Sequence, residues 1–374
     1  MSTLQIVVIR HGRKLIGLVL VLMAAILVWS SIDVPSSVSR FLIEGRADVQ
    51  KVFRVDSPKK VLIVAYYRSG SSLTGSVFND NDEAFYLFEP LYSLYSFKNE
   101  LRYFNGSTRP WPRDPDSLRM TAVNILASIF KCRLADVDVV TWTRMMCQIG
   151  TRTSKEFCEC KKGKSPPEIL RDCMANYTAR CENAKYRVVK TIRSDMAEVR
   201  SLLKIVPDLK VIHLQRDPRG MLCSKLFSKH CSVTRVQIDQ LCDRLTMDLR
   251  DRHSLEKHYP TSFMQVIYED IVEDAIAEAG DMYKFVAGNL PHAIKAILQD
   301  KTKYGGKYDG AYGTYRKNGL QTAYNWTVMI TWNTNEAVQN SCFAVLKNGK
   351  FPILNNPTEL QKFKIPDRRK FRKN

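Results

Sequence analysis

The first 131 residues of this 374-residue chain contain no cysteine, and the ten cysteines that follow include no Cys-x2-Cys pair. No histidine neighbours the crowded group Cys147, Cys158, Cys160, Cys173 and Cys181, which argues against a zinc cluster there. Histidine is scarce throughout, with six in all, and no grouping of Asp, Glu and His demands a metal. The Asp-x-Asp strings, Asp80-Asn81-Asp82, Asp114-Pro115-Asp116 and Asp136-Val137-Asp138, lack the strand-end setting of a metal–nucleotide site. Internal repeats are absent, so a solenoid is excluded. Acid is in short supply too, 38 Asp and Glu against 57 Lys and Arg, for a net charge of +19. Such an excess says little about fold and favours a polyanionic partner: nucleic acid, acidic lipid or acidic glycan.

What is present is the composition of a globular protein, 45% apolar and 25% charged, long enough for one large α/β domain or two smaller ones. Leu15 to Ile32 form an uncharged run of 18 residues, the length of a membrane-spanning helix. Arg10, His11, Arg13 and Lys14 precede it without an acid, so the N-terminal tail is expected on the cytoplasmic side and the rest in the lumen. A cleaved signal peptide is the competing reading, but Trp29-Ser30-Ser31-Ile32-Asp33 is a poor cleavage site. Sequons at Asn105, Asn176 and Asn325 agree with a lumenal body, as does an even number of cysteines suited to disulfides. A lumenal body rules out nucleic acid as the polyanion and leaves glycan. The expected organisation is a tail over 1–14, an anchor over 15–32, a stem over 33–58, a lumenal domain over 59–355 and a basic tail over 356–374, whose last ten residues read as solvated. A cysteine-rich insertion occupies about 96–182.

Within the domain, Val61 to Tyr67 (VLIVAYY) reads as a strand buried on both faces, as in a parallel sheet. A helix follows over Ser72 to Phe78, then a strand over Ala84 to Phe88. After the insertion come strands at Tyr186–Ile192, Leu209–Leu214 and Ser262–Tyr268. Helices are expected at Met196–Ile205, Pro218–Lys229, Val236–His258 and Val272–Val286. This alternation predicts an α/β fold, a P-loop-like parallel sheet flanked by helices.

Two strand ends carry the chemistry. The first strand runs into Tyr67-Arg68-Ser69-Gly70-Ser71-Ser72 and then a helix, an arrangement that points backbone N–H groups and a helix N-terminus at an anion. Gly70 admits close approach, Ser71 and Ser72 add hydroxyls and Arg68 adds charge. This turn lacks the Gly-Lys-Ser/Thr ending of a Walker A loop. The second is Gln215-Arg216-Asp217-Pro218-Arg219-Gly220-Met221-Leu222-Cys223-Ser224-Lys225, with Arg216 at the edge where open α/β sheets bind ligands. Ser224, two turns into the helix, is placed to pinch the same anion. Asp217 fits an N-cap, with Pro218 at the first helical position and Arg219 solvated.

The segments YRSGSSLTGSVFNDNDEAFYLFEPLYSL and LKVIHLQRDPRGMLCSK together resemble the two donor-binding segments of the membrane-bound Golgi carbohydrate 6-O-sulfotransferases. The likeness extends to Tyr268-Glu269-Asp270, Trp326 and Cys342 and covers about residues 59 to 350. It implies a sulfotransferase fold, PAPS (3′-phosphoadenosine 5′-phosphosulfate) as donor, and a Golgi membrane protein with a lumenal catalytic domain. The acceptor it implies is the C6 hydroxyl of galactose, N-acetylgalactosamine or N-acetylglucosamine in a keratan-, chondroitin- or N-glycan-like chain. It further implies that Arg68, Ser69, Gly70, Ser71, Ser72 and Leu73 hold the 5′-phosphosulfate, and that Arg216 and Ser224 hold the 3′-phosphate. Asp217, between these two, is carried among the donor-binding candidates. Leu73, Gly220 and Lys225 depart from the family's usual Phe, Ala and Arg.

Sulfuryl transfer is an in-line displacement helped by positioning and electrostatics, and no metal is expected. Glu89, after an apolar strand, is the candidate base, with a carboxyl whose pKa such a setting raises. His230 is the alternative, beyond the second segment on the same helix, while His213 reads as a packing residue. A nucleotide-dependent kinase or glycosyltransferase lacks its lysine or Asp-x-Asp here. A membrane-anchored glycan-binding protein derived from an inactive sulfotransferase leaves the paired arginines and serines without a use.

Overall fold

The computed structural model describes residues 57–371 apart from 99, 144–146, 148–150, 225–229, 303–313 and 316–317. The expected anchor over 15–32 and nearly all of the stem lie outside the described residues. Among the described residues no helix is long and apolar enough to cross a membrane.

The domain is built on a five-stranded, all-parallel sheet. Its strands are β1 (Lys59–Val64), β2 (Ala84–Phe88), β5 (Tyr186–Thr191), β6 (Leu209–Gln215) and β7 (Phe263–Ile267), in the order β2-β5-β1-β6-β7. The short strands β3 (Leu101–Arg102) and β4 (Thr108–Arg109) form a separate hairpin. Ten helices frame the argument. They are α1 (Ser71–Asn79), α2 (Tyr92–Phe97), α3 (Pro115–Phe130), α4 (Met196–Ile205), α5 (Pro218–Cys223), α6 (Arg235–His258), α7 (Tyr268–Glu273), α8 (Ala275–Phe285), α9 (Gly319–Tyr324) and α10 (Trp332–Ser341).

Alternation along β1 assigns its side chains to two cores. Leu62 and Val64 face a cluster with Ala122, Val123, Leu126, Ile129 and Phe130 of α3 and Val199, Leu202 and Leu203 of α4. Val61 and Ile63 face Leu73, Val77 and Phe78 of α1 and Ala279 and Met282 of α8. Both faces are therefore covered, which is why β1 shows no polar alternation. Polar side chains start the helices where expected. Asp195 accepts from the Glu198 N–H at 2.8 Å to begin α4, and Thr234 and Gln237 close a capping box on α6.

Three expectations change. Helix α3 lies inside the stretch read as an insertion, yet it supplies a layer of the central core; its apolar stripe fits the sheet as well as that of α4. The helix expected from Val272 is two, α7 and α8, broken at Asp274, whose side chain caps α8 through the Ala277 N–H. The C-terminal tail is not solvated throughout. Leu360 is buried, and the Arg368 guanidinium is buried against Asp270 Oδ1 at 2.5 Å and the carbonyls of Gly349 and Lys350.

All ten cysteines pair, as Cys132–Cys181, Cys147–Cys158, Cys160–Cys173, Cys223–Cys231 and Cys242–Cys342. The last closes a 100-residue loop and ties α6 to the end of α10, a cross-link worth about 4–5 kcal/mol by loop-closure entropy. Asn105, Asn176 and Asn325 are all exposed.

Removing Arg368 leaves the Asp270 carboxylate and two carbonyls without their buried cation. We expect Arg368→Ala to destabilise the domain by about 3–5 kcal/mol, read as a lowered midpoint in urea unfolding. A change below about 0.5 kcal/mol, as at an ordinary surface site, would contradict the buried clamp.

Candidate active site

In a parallel sheet every strand ends at the same edge, and the loops beyond that edge meet. Here they bring together residues 65–70 after β1, Glu89 after β2, Ile192 and Arg193 after β5, Arg216 after β6 and Tyr268 after β7. The chain leaves β1 towards β2 on one side, while β6 and β7 continue on the other, the kind of switch point beside which open α/β sheets bind ligands.

The loop after β1 is held from within. The Ser69 hydroxyl donates to the Tyr66 carbonyl at 2.8 Å and accepts from the Tyr66 N–H at 3.1 Å, and its side chain is fully buried. Ser69 therefore shapes the loop and is not positioned to touch a ligand through its hydroxyl. Arg68 and Gly70 both have positive φ, 66° and 88°. At Gly70 a side chain is impossible for a second reason: a Cβ would lie 2.1 Å from Tyr268 Cδ2. Ser71, Ser72 and Leu73 open α1, and the first amides of a helix have no acceptor within it. Leu73's side chain faces the core, so only its backbone is available to an anion.

Arg216 packs behind this loop. Its guanidinium lies 4.5 Å from the centre of the Tyr268 ring, whose edge covers Gly70. Nη1 donates to the Arg68 carbonyl at 2.7 Å and Nη2 to the Thr322 carbonyl at 3.3 Å. Arg68 in turn donates from Nε to the Ser224 hydroxyl at 3.4 Å. Arg68, Arg216 and Ser224, far apart in sequence, thus form one contiguous polar cluster at the α1 N-terminus. Ser224 stands at the C-cap of α5, which is shorter than expected over the described residues.

The Asp217 side chain belongs elsewhere. It caps α5 through the Arg219 N–H at 2.9 Å and grips the Arg219 side chain with both oxygens, at 2.9 and 2.7 Å, with no exposure. Both carboxylate oxygens of Asp217 are thus engaged with Arg219, as the N-cap reading expects. Arg219 is likewise fully buried instead of solvated, bonded to Asn335, Gln339 and the Pro352 carbonyl and stacked over Trp326 at 4.0 Å.

Glu89 does not sit in apolar surroundings. Its Oε1 accepts from Lys190 Nζ and the Ile192 N–H, both at 2.9 Å, and its Oε2 from Arg193 Nη1 at 2.6 Å. Lys190 is buried, and burial lowers its pKa, whereas Arg193 is the outer partner, stacked on Tyr92 at 4.5 Å. His230 lies on an exposed bend outside α5, not on the helix that carries Ser224. His213 is buried as expected. Its Nε2 meets Tyr66 Oη at 2.7 Å, and Tyr66 donates to Asp248 Oδ2 at 2.9 Å. Burial drives the imidazole pKa well below its ordinary value, so this ring is neutral. Among the described residues no group of His, Cys, Asp or Glu is placed to hold a metal ion.

Tyr268, Glu269, Lys190 and Arg193 were not among the candidates from sequence. All four lie at or just past the C-terminal end of a strand, and Tyr268 and Glu269 also belong to the stretch that carries the family likeness. Replacing Gly70 by alanine should drive the Tyr268 ring aside and dislodge Arg216. We expect Gly70→Ala to weaken binding of adenosine 3′,5′-bisphosphate roughly 100-fold while circular dichroism stays unchanged. Unaltered binding would show that the ring contact does not shape the loop.

Residues 60–291 match the sequence profile of the sulfotransferase family. Carbohydrate sulfotransferase 1 of Mus musculus is 27% identical over 344 residues, which span 80% of this chain and 81% of that protein. Carbohydrate sulfotransferase 3 of Tetronarce californica is 25% identical over 362 residues, 86% of this chain and 78% of the relative. Carbohydrate sulfotransferase 2 of Mus musculus is 22% identical over 375 residues, with 82% and 67% covered. The profile covers more than half of the chain and includes the ends of β1 and β6, and the chain accordingly belongs to the sulfotransferase family.

Proposed function

We propose that this enzyme transfers the sulfuryl group of PAPS to a C6 hydroxyl of galactose, N-acetylgalactosamine or N-acetylglucosamine in a glycoprotein or glycosaminoglycan chain. The observation that carries the reading is the meeting of Arg68, Arg216 and Ser224 at the N-terminus of α1. A donor with phosphates at both ends of its ribose needs two anion sites side by side, and this cluster offers them. The α1 amides with Arg68 suit the 5′-phosphosulfate, and Arg216 with Ser224 suits the 3′-phosphate. Ser69 and Asp217 serve by holding the loop and α5 in shape.

In the reaction the acceptor oxygen forms a bond to sulfur as the bond from sulfur to the phosphate oxygen breaks. Adenosine 3′,5′-bisphosphate leaves, and the hydroxyl proton passes to a base. Arg68 and the α1 amides stabilise the charge that grows on the leaving phosphate. Glu89 is the base in this reading. Its buried Lys190 bond anchors one oxygen, and the acceptor hydroxyl takes the place of the outer partner, Arg193, on the other. The anchor over 15–32 would place this chemistry at the Golgi membrane, facing the lumen, where basic surface attracts acidic glycans.

The test uses residues 40–374 secreted from a eukaryotic host, 35S-labelled PAPS, and keratan, chondroitin and N-acetylglucosamine-terminated acceptors. Label should enter an acceptor with wild type and be lost with Arg68→Ala and with Arg216→Ala. A folded protein that neither transfers label nor binds adenosine 3′,5′-bisphosphate would overturn this in favour of a glycan-binding protein. Glu89→Gln should lower kcat by about 10²–10⁴-fold with the donor KM little changed. If KM alone rises, Glu89 positions the acceptor and another group is the base.

A further inference from the structure

Behind Arg216 lies a carboxylate for which the reaction as described has no use. Glu269, in the first turn of α7, is fully buried. Its Oε1 accepts from the Asp217 N–H at 3.2 Å and lies 4.0 Å from Arg216 Nε. Among the described residues its Oε2 and Arg216 Nε are both buried without a hydrogen-bond partner, so the two groups face each other at ion-pair distance without a formed bond. A buried carboxylate in that position is costly to keep charged.

We propose that Glu269 is the proton-linked counter-charge of Arg216, holding the guanidinium before the donor arrives and yielding it to the donor's 3′-phosphate by taking up a proton from solvent. The proposal rests on the reading of Arg216 as the 3′-phosphate ligand. An arriving phosphate is a second anion competing for the same cation, and the ionised form of Glu269 becomes less favourable when it binds. By reciprocity, a proton on Glu269 then strengthens donor binding.

The surrounding charges leave this exchange to Glu269. From the β6–α5 joint, Asp217 faces it, but Arg219 neutralises that carboxylate with two bonds. On its own helix Asp270 is paired with Arg368, and Glu273 accepts from the Arg368 N–H at 3.0 Å. From α9 comes the Tyr324 hydroxyl, buried without a partner among the described residues, and from the C-terminal turn the Arg368 guanidinium. Burial pushes the Glu269 pKa up to about 7, with Arg216 and Arg368 pulling down and Asp217 pushing up. The sign follows directly. Above that pH Glu269 is ionised and shares Arg216, below it the guanidinium is free for the phosphate, and affinity rises as pH falls through about 7.

The experiment is calorimetric titration of adenosine 3′,5′-bisphosphate into the full-length chain in mild detergent, between about pH 6 and 8. Wild-type affinity should gain about tenfold more on acidification than that of Glu269→Gln, which keeps the acceptor for the Asp217 N–H. The phosphate's own titration near about pH 6 is common to both proteins and cancels. A second readout needs no variant. At about pH 7.5, in two buffers of different ionisation heat, wild type should take up protons on binding the bisphosphate and not on binding adenosine 5′-monophosphate. Equal pH slopes in the two proteins, or no proton uptake by wild type, would overturn the proposal. Binding that is lost in Arg216→Ala yet shows no proton linkage removes the counter-charge and leaves the donor reading intact. Absence of binding by wild type removes both.

Discussion

The site depends on one hydrogen bond, from the Arg216 guanidinium to the carbonyl of Arg68 at 2.7 Å. Arg68 is not glycine, yet it sits at positive φ, a conformation that a side chain disfavours. The carbonyl is held in that orientation because a buried guanidinium meets it from the next strand. Tyr268 completes the clamp. Its ring supports Arg216 on one side and leaves room at Gly70 only for a hydrogen on the other. Loop, cation and ring are therefore one unit, contributed by the ends of β1, β6 and β7.

Around this unit buried charges are matched in closed sets. Asp217 is tied to Arg219, Asp270 to Arg368, and Glu89 to Lys190 and Arg193. Such pairs add little net stability, because each charge must leave water first, but losing one partner strands the other in a low-dielectric interior. They lie at or past the strand ends, where they hold the loops at that edge at fixed spacing. Glu269 is the exception within the pattern, because it stands 4.0 Å from Arg216 Nε without a formed bond.

Elements distant in the chain brace the same edge. The C-terminal Arg368 reaches under α7, and α10 supplies Asn335 and Gln339 to Arg219. The Cys223–Cys231 bridge closes the segment just after Ser224, and Cys242–Cys342 joins α6 to the end of α10. A domain rich in lysine and arginine can thus bury several of them, provided each finds acids or carbonyls.

The amino-acid sequence by itself determined the alternation of strands and helices and singled out the two strand ends proposed to hold the donor. Uninterrupted apolar runs such as Val61 to Val64 occur only where both sheet faces are covered, and small residues such as Gly70 mark close approach. It also determined that His213 is internal and that Asp217 caps α5, both local consequences of neighbouring residues. Only the tertiary structure decided that α3 belongs to the core, that Arg219 and Arg368 are buried, and that Glu89 is gripped by two cations. Nor could spacing place Glu269 beside Arg216, because the two residues lie on neighbouring strand ends more than fifty positions apart. Sequence patterns report periodicity and local turn chemistry. The partner of a buried charge is set by which strands lie side by side, and that order, β2-β5-β1-β6-β7, exists only once the chain has folded.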